Sequence, residues 1–380
     1  MRAPHQSEQA RQLSASIGIA RVLCIVGIVY VHAWTGLVGA DIIKLNDTPQ
    51  GMLRWSLIEL LGRSSVPLLS IISGWLVAAS LTKRSWTSFL RGKARTIIAP
   101  MILWNALAIL FVSGAAWLGY IQAPLPATWR WTIDELLCLL TPNDINVQMS
   151  FLRDLFVCML AAPLLVRLPS WLLGVIAALT VGWVISGFSF VLLLRPSILL
   201  FFSAGILARR HELAVWMATR PIAMVGGVYM ILAATLVWLE TVGEARGITD
   251  PTLMVSVDLM MRCATALFFW SIAWRLADSR AAKFLLRFEP YAFLMFCSHL
   301  IMIWLGGPFI GQWTGTMGSP FYPAFLLAQP FLVLGVTVLL GLGLRAISPA
   351  AAELLSGGRI ASKAPERPTR SIKPQPLPQT

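Results

Sequence analysis

The chain has 380 residues, 57% of them hydrophobic and 12% charged, with a formal net charge of +13. Soluble domains use about 25% charged residues, so a globular surface cannot be covered here. The apolar residues fall in runs near the length of a bilayer core, such as 97–118 and 325–344, which excludes an ordinary soluble fold.

In chain order, the runs predict an all-α polytopic integral membrane protein with about ten transmembrane helices. The predicted spans are 17–38, 64–81, 96–118, 150–166, 171–187, 190–208, 221–239, 252–274, 290–305 and 321–344. An amphipathic lead-in, 52–61, is expected at the membrane interface. The N-terminus imitates a signal peptide, but Arg21 and His32 lie inside its apolar run. That run also exceeds the roughly 7–15 residues of a signal core, so it reads as the first span. Residues 1–16 then form a cytoplasmic N-terminal segment and 17–346 the membrane domain. Residues 347–380, rich in Pro, Ser and Lys towards the end, are expected to form a disordered cytoplasmic tail.

Charge distribution fits ten spans with both termini cytoplasmic. Lys83, Arg84, Arg91, Lys93 and Arg95 share one loop, and Arg209, Arg210 and Arg220 another. Arg275, Arg280, Lys283 and Arg287 share a third, and the tail carries Arg359, Lys363, Arg367, Arg370 and Lys373. All four clusters fall on one side, and Asp41, Asp47, Asp134, Glu135, Asp144, Glu240, Glu244 and Asp250 on the other. This is the positive-inside pattern, so the basic excess reads as topology and lipid attraction, with no nucleic-acid partner. In the long outer loop 119–149, Trp129-Arg130-Trp131 suits an interfacial anchor.

The five cysteines, Cys24, Cys138, Cys158, Cys263 and Cys297, show no CxxC or Cys/His spacing. Free, buried thiols and no metal are expected.

Ionisable residues within spans are costly and point to function. Arg21 and His32 are eleven positions apart in the first span. That is close to three helical turns, so they share one face, separated by roughly 16 Å along the axis. A fixed cation near the inner end and an imidazole near the outer end suit a donor anion and a general base. The bland alternatives are snorkelling of Arg21 and an interhelical hydrogen bond from His32. His299, in the ninth span, lies at similar depth and reads as a second acid/base group or an orienting partner. Ser298 beside it diverges by about 100° and forms no Ser/His pair with it. Arg91, Lys93 and Arg95 could grip the phosphates of a nucleotide-like donor. Arg153 and Asp154, at the outer start of the fourth span, could contact a polar acceptor or mark the interface. Asp258 and Arg262 are spaced to pair with each other, and Ser73 and Gly74 to let helices approach.

These pieces, in this order, resemble the integral-membrane acyltransferase family, the acyltransferase-3 group. The resemblance rests on Arg21 to His32, Val66-Pro67 followed by Ser73-Gly74, and Lys93-Ala94-Arg95 before Pro100. Trp104-Asn105, Phe151-Leu152-Arg153-Asp154-Leu155, the 202–205 stretch and His299 add to it. Ser150, Met101 and Trp75 depart from the residues usual in that group. The resemblance implies transfer of an acyl group, commonly acetyl from acetyl-CoA, to a hydroxyl of a cell-surface glycan or lipid-linked sugar. It implies acyl-CoA as co-substrate, no tightly bound cofactor, and a place in the bacterial inner membrane. Under it, Arg21, Arg91, Lys93 and Arg95 hold or guide the donor and His32 is the base. A transporter or flippase for a sugar-type or lipid-linked substrate is the alternative. Transporter folds often carry inverted repeats, and the sequence shows none.

Overall fold

A computed structural model describes residues 4–360 apart from 82–84, 189, 244–245 and 249. Among these residues the chain is helical, with no strand beyond an isolated bridge between Phe190 and Leu193. In chain order the main helices are α1 (Pro4–Val31), α2 (Pro49–Leu81), α3 (Trp86–Trp117), α4 (Met149–Leu165), α5 (Ser170–Ile185) and α6 (Ser197–Arg210). They continue with α7 (Ile222–Gly243), α8 (Pro251–Ala277), α9 (Glu289–Thr314), α10 (Tyr322–Ile347) and α11 (Pro349–Leu355).

Among the described residues seven helices, α1–α3 and α7–α10, are long and apolar enough to cross a membrane. Helices α4, α5 and α6 stand where the fourth to sixth spans are predicted, with 17, 16 and 14 residues. They fall short of the roughly 20 residues a perpendicular span needs. The lead-in 52–61 is continuous with α2 through a π-helical turn at Leu57–Leu61.

Helix α1 is the axis of the bundle, packing on α2, α8, α9 and α10. Its Ile19, Ala20, Cys24 and Val29 are fully buried. Such all-round burial explains its apolar composition, which a one-sided surface helix would not need. Helices α2 and α6 approach most closely, because Gly74 lies against the Phe202 carbonyl and Gly205 against the Ile71 carbonyl. A methyl group at either glycine would collide with that backbone, the role of small residues predicted for this helix. Asp250 caps α8, accepting from the amides of Thr252 and Leu253 at 2.7 and 3.2 Å ahead of Pro251.

Three features depart from the predicted layout. First, α1 starts at Pro4 and ends at Val31, not at 38. Second, 347–360 is no loose tail, since α11 and the turn after it pack on the bundle with Ser356 fully buried and Ile360 6% exposed. Residues 361–380, with Lys363, Arg367, Arg370 and Lys373, lie outside the described residues, as do Lys83, Arg84 and Glu244. Third, four cysteines are free and buried, whereas Cys263 is free and exposed.

Candidate active site

Helices α1 and α9 build the site together. Near the start of α9, Glu289 accepts a hydrogen bond from Arg21 Nη1 of α1 at 2.8 Å, both side chains about one-third exposed. Eleven residues along α1 from Arg21, and ten along α9 from Glu289, the rings of His32 and His299 stand 5.5 Å apart, centroid to centroid. At 1.5 Å rise per residue the two levels lie roughly 15 Å apart. Both Arg21 and His32 therefore meet α9.

A cavity opens beside the lower pair. It is lined by Arg21, Lys93, Glu289 and Arg359 at its polar end, and by Ile25, Phe151 and Phe296 among its apolar walls. The Lys93 ammonium stands 5.7 Å from the Phe89 ring centroid, and the Arg359 guanidinium 3.9 Å from that of Phe293. Phe151 and Phe296 contact each other edge to face at 5.7 Å, and Phe296 lies 6.2 Å from the His299 ring. Arg21 lines this cavity and His32 does not; Phe296, on the cavity wall, lies between it and the His299 ring it contacts.

The His299 imidazole is fully buried. Its Nδ1 lies 2.8 Å from the Phe296 carbonyl and 3.2 Å from that of Met295. Carbonyl oxygens only accept, so Nδ1 carries the proton. Nε2 is then an unprotonated acceptor, and it has no partner among the described residues. Gln148 Nε2 approaches the same Phe296 carbonyl at 3.5 Å, and its buried Oε1 is likewise unpartnered. His32 is partly exposed, so of the two imidazoles it is the one a further molecule can reach.

The end of α1 explains that exposure. His32 occupies the turn after the helix, its amide donating to the Val29 carbonyl at 3.2 Å. The backbone then leaves the helical path, and α10 satisfies it. Gln329 Oε1 accepts from the Trp34 amide at 2.8 Å, while Gln329 Nε2 and Tyr322 Oη donate to the Trp34 carbonyl at 3.1 and 3.2 Å. Irregular backbone at membrane depth is tolerated where protein groups replace the lost bonds. The Trp34 ring lies against Gly307 and Gly311 of α9, where any side chain would overlap it.

The other predicted site residues divide. Lys93 faces the cavity. Arg91 is exposed in the first turns of α3 rather than in a loop. Arg95 pairs with Glu353 of α11 at 3.4 Å and lines a separate hollow. Arg153 and Asp154 bind the chain itself. Arg153 Nη1 donates to Asp154 Oδ1 at 2.6 Å and to the Leu192 carbonyl at 2.8 Å, and its Nη2 reaches the Val191 and Leu139 carbonyls. Asp154, fully buried, accepts from the Leu194 and Arg195 amides at 3.3 and 2.7 Å. They hold the loop before α6, and their polar atoms are directed to it rather than to a ligand. Asp258 and Arg262 pair at 2.7 Å, and Arg63 joins them, bridging Asp258 and Glu59 at 2.9 Å each.

Sequence reasoning missed Glu289, Arg359 and the Phe151–Phe296 layer. Glu289 carried a signal, being a lone acid at the mouth of an apolar run beside a basic cluster. Arg359 sits among Ser, Gly and Ala, and nothing local distinguishes it from a tail residue.

Residues 14–344 match the family model described as an acyltransferase domain. The chain is 29% identical over 373 residues to the succinoglycan biosynthesis protein ExoH of Rhizobium meliloti (strain 1021), covering 92% of this chain and 94% of that protein. No solved structure matches it significantly. The chain belongs to this acyltransferase family and is a multi-pass membrane enzyme transferring acyl groups other than aminoacyl groups.

Proposed function

We propose that this membrane acyltransferase takes an acyl group, acetyl in the first instance, from cytoplasmic acyl-CoA and transfers it to a hydroxyl of a cell-surface glycan or lipid-linked sugar. The observation that carries this reading is the two-level pairing of α1 with α9, ion pair below and imidazoles above. A long donor fits such a layout: its phosphates stay with Arg21 and Lys93 at the cavity mouth while its thioester reaches the aromatic layer. The related succinoglycan biosynthesis protein supports a polysaccharide acceptor. The basic clusters favour the Arg21 end as cytoplasmic, in a bacterial inner membrane.

His32 is the general base. The acceptor oxygen attacks the thioester carbonyl carbon as its proton passes to an imidazole nitrogen of His32. The C–S bond then breaks, and the departing sulfur takes up a proton as free CoA. A neutral imidazole has one unprotonated ring nitrogen to accept the hydroxyl proton, which is what this task needs. His299 orients the base. With Nδ1 tied to the Phe296 carbonyl, its Nε2 can accept an N–H from His32 after a small ring rotation, leaving the second His32 nitrogen for the substrate. A base held by a third group is the usual logic of activated hydroxyls. Arg153 and Asp154 act at a distance, by holding the loop of Arg195.

The test is mass spectrometry of surface polysaccharide and lipid-linked sugars from a strain lacking this chain. Loss of one acyl mass per modified sugar is the expected result, and an unchanged acylation pattern would refute the reading.

A further inference from the structure

We infer that Glu289 is an exchangeable counter-ion standing where a donor phosphate binds, and that Arg359 is the second anchor for that phosphate. The inference rests on the donor reading above and adds to it the residues that hold the anion and the event that admits it.

Charge balance is the first argument. Three cations from distant parts of the chain, Arg21 of α1, Lys93 and Arg359, line one cavity that has a single carboxylate, Glu289. Like charges gathered at one cavity repel each other, and an anion between them offsets that repulsion. Arg21 is already paired with Glu289, whereas Arg359 hydrogen-bonds only to backbone carbonyls, through Nη1, among the described residues, so an incoming anion would meet a guanidinium with no carboxylate on it. The Arg359 guanidinium stays protonated at neutral pH, as arginines in proteins do.

Placement is the second argument. Arg359 is set on a built turn. Gly357 and Gly358 both adopt positive φ, +61° and +81°. A methyl at Gly357 would collide with the Thr96 carbonyl of α3, three residues beyond Lys93. The Ser356 hydroxyl accepts from the Ile360 amide at 3.0 Å and closes the turn. Arg359 Nη1 donates to the Ser356 and Gly357 carbonyls at 3.2 and 3.4 Å. Its other N–H groups have no hydrogen-bond partner among the described residues. A guanidinium fixed by stacking and by one nitrogen is suited to bind a phosphate with the rest of its fork.

The position of the ion pair is the third argument. A second, more open hollow is lined by Arg11, Ser14, Gly18, Arg21 and Glu289. Arg21, Leu76 and Glu289 line both hollows, so the pair stands between them. An anion entering from the open hollow meets Arg21 already occupied. Phosphate displaces the carboxylate, binds Arg21 and Arg359 together, and leaves Glu289 facing Arg11. Phosphate chemistry is shared by CoA and by anionic lipid headgroups; a cavity running inward to the aromatic layer favours CoA, whose pantetheine arm would fill it.

Calorimetric titration of free CoA into the full chain in nanodiscs tests this. In phosphatidylcholine, Glu289→Gln should bind CoA several-fold tighter than wild type. Arg359→Gln should bind about tenfold weaker, the scale of a lost charge-assisted contact, with Arg359→Lys between. If Arg359→Gln fails to fold, the Lys variant and the opposite sign at Glu289 still decide. Weaker binding by Glu289→Gln, or an unchanged Kd in Arg359→Gln, overturns the inference and leaves the donor reading standing. Absence of CoA binding by wild type overturns both. If phosphatidylglycerol nanodiscs abolish CoA binding, the site belongs to a lipid headgroup and the inference falls.

Discussion

The rings of His32 and His299 lie 5.5 Å apart at a tilt of 39°, and they arrive there from different kinds of backbone. His299 sits mid-helix in α9, locked by the Phe296 and Met295 carbonyls. His32 sits one residue past the end of α1, on backbone that α10 side chains support. One imidazole is thus fixed and buried, while the other is partly exposed. The division suits an orienting group and a working base.

The Phe151–Phe296 layer should act as a seal. Phe296→Ala would join the donor cavity to the imidazoles permanently, because the Phe296 ring touches both Phe151 at the cavity wall and the His299 ring. Water would then compete with the acceptor for the acyl group. The ratio of donor hydrolysis to acyl transfer, followed by thiol release against labelled acceptor, should rise about tenfold or more, with smaller losses in donor binding.

Arg153 and Asp154 should prove structural. Arg153→Ala removes the directly bonded cation of the fully buried Asp154 carboxylate, leaving only the more distant charge of Arg195. Breaking such a pair costs about 3–5 kcal/mol. Thermal unfolding in detergent should show a large drop, whereas donor KM in the surviving folded fraction should stay near wild type. A KM effect without a stability effect would return these residues to the substrate site.

Much of the layout was legible because membrane burial demands long apolar runs, and because Arg21 and His32 interrupt one at helical spacing. Other features were hidden for physical reasons. The unwinding after Val31 depends on Gln329 and Tyr322, almost 300 residues away in sequence. Composition alone makes 347–360 look like the polar tail that follows it, yet Gly357 and Ser356 fold it against α3. Arg153 and Asp154 carry the charge pattern of a site, but loop carbonyls and amides that no local pattern reveals use up their hydrogen bonds.

The loop 119–148 should loosen in acid. Burial alone would raise the Asp134 pKa, but hydrogen bonds from the Thr141 hydroxyl and from the Leu140 and Thr141 amides outweigh it and hold the carboxyl below its ordinary value. A depressed folded pKa contributes stability that is present above the unfolded value, near 3.9, and lost as pH falls through the folded one. Amide exchange at Leu140 and Thr141, corrected for intrinsic rate, should therefore be protected at pH 6 and lose protection below about pH 4. Asp134→Asn should flatten this dependence.

In the proposed reaction His32 removes the acceptor proton while His299 holds His32 in place. Transfer of labelled acetyl from acetyl-CoA to endogenous acceptor, measured in membranes carrying wild type, His32→Ala or His299→Ala at equal protein levels, tests it directly. Loss of the base should lower transfer by about 10²–10⁴-fold. Loss of the orienting imidazole should lower it less, with CoA binding unchanged in both. Transfer by His32→Ala at the wild-type rate would mean that His32 is not the base.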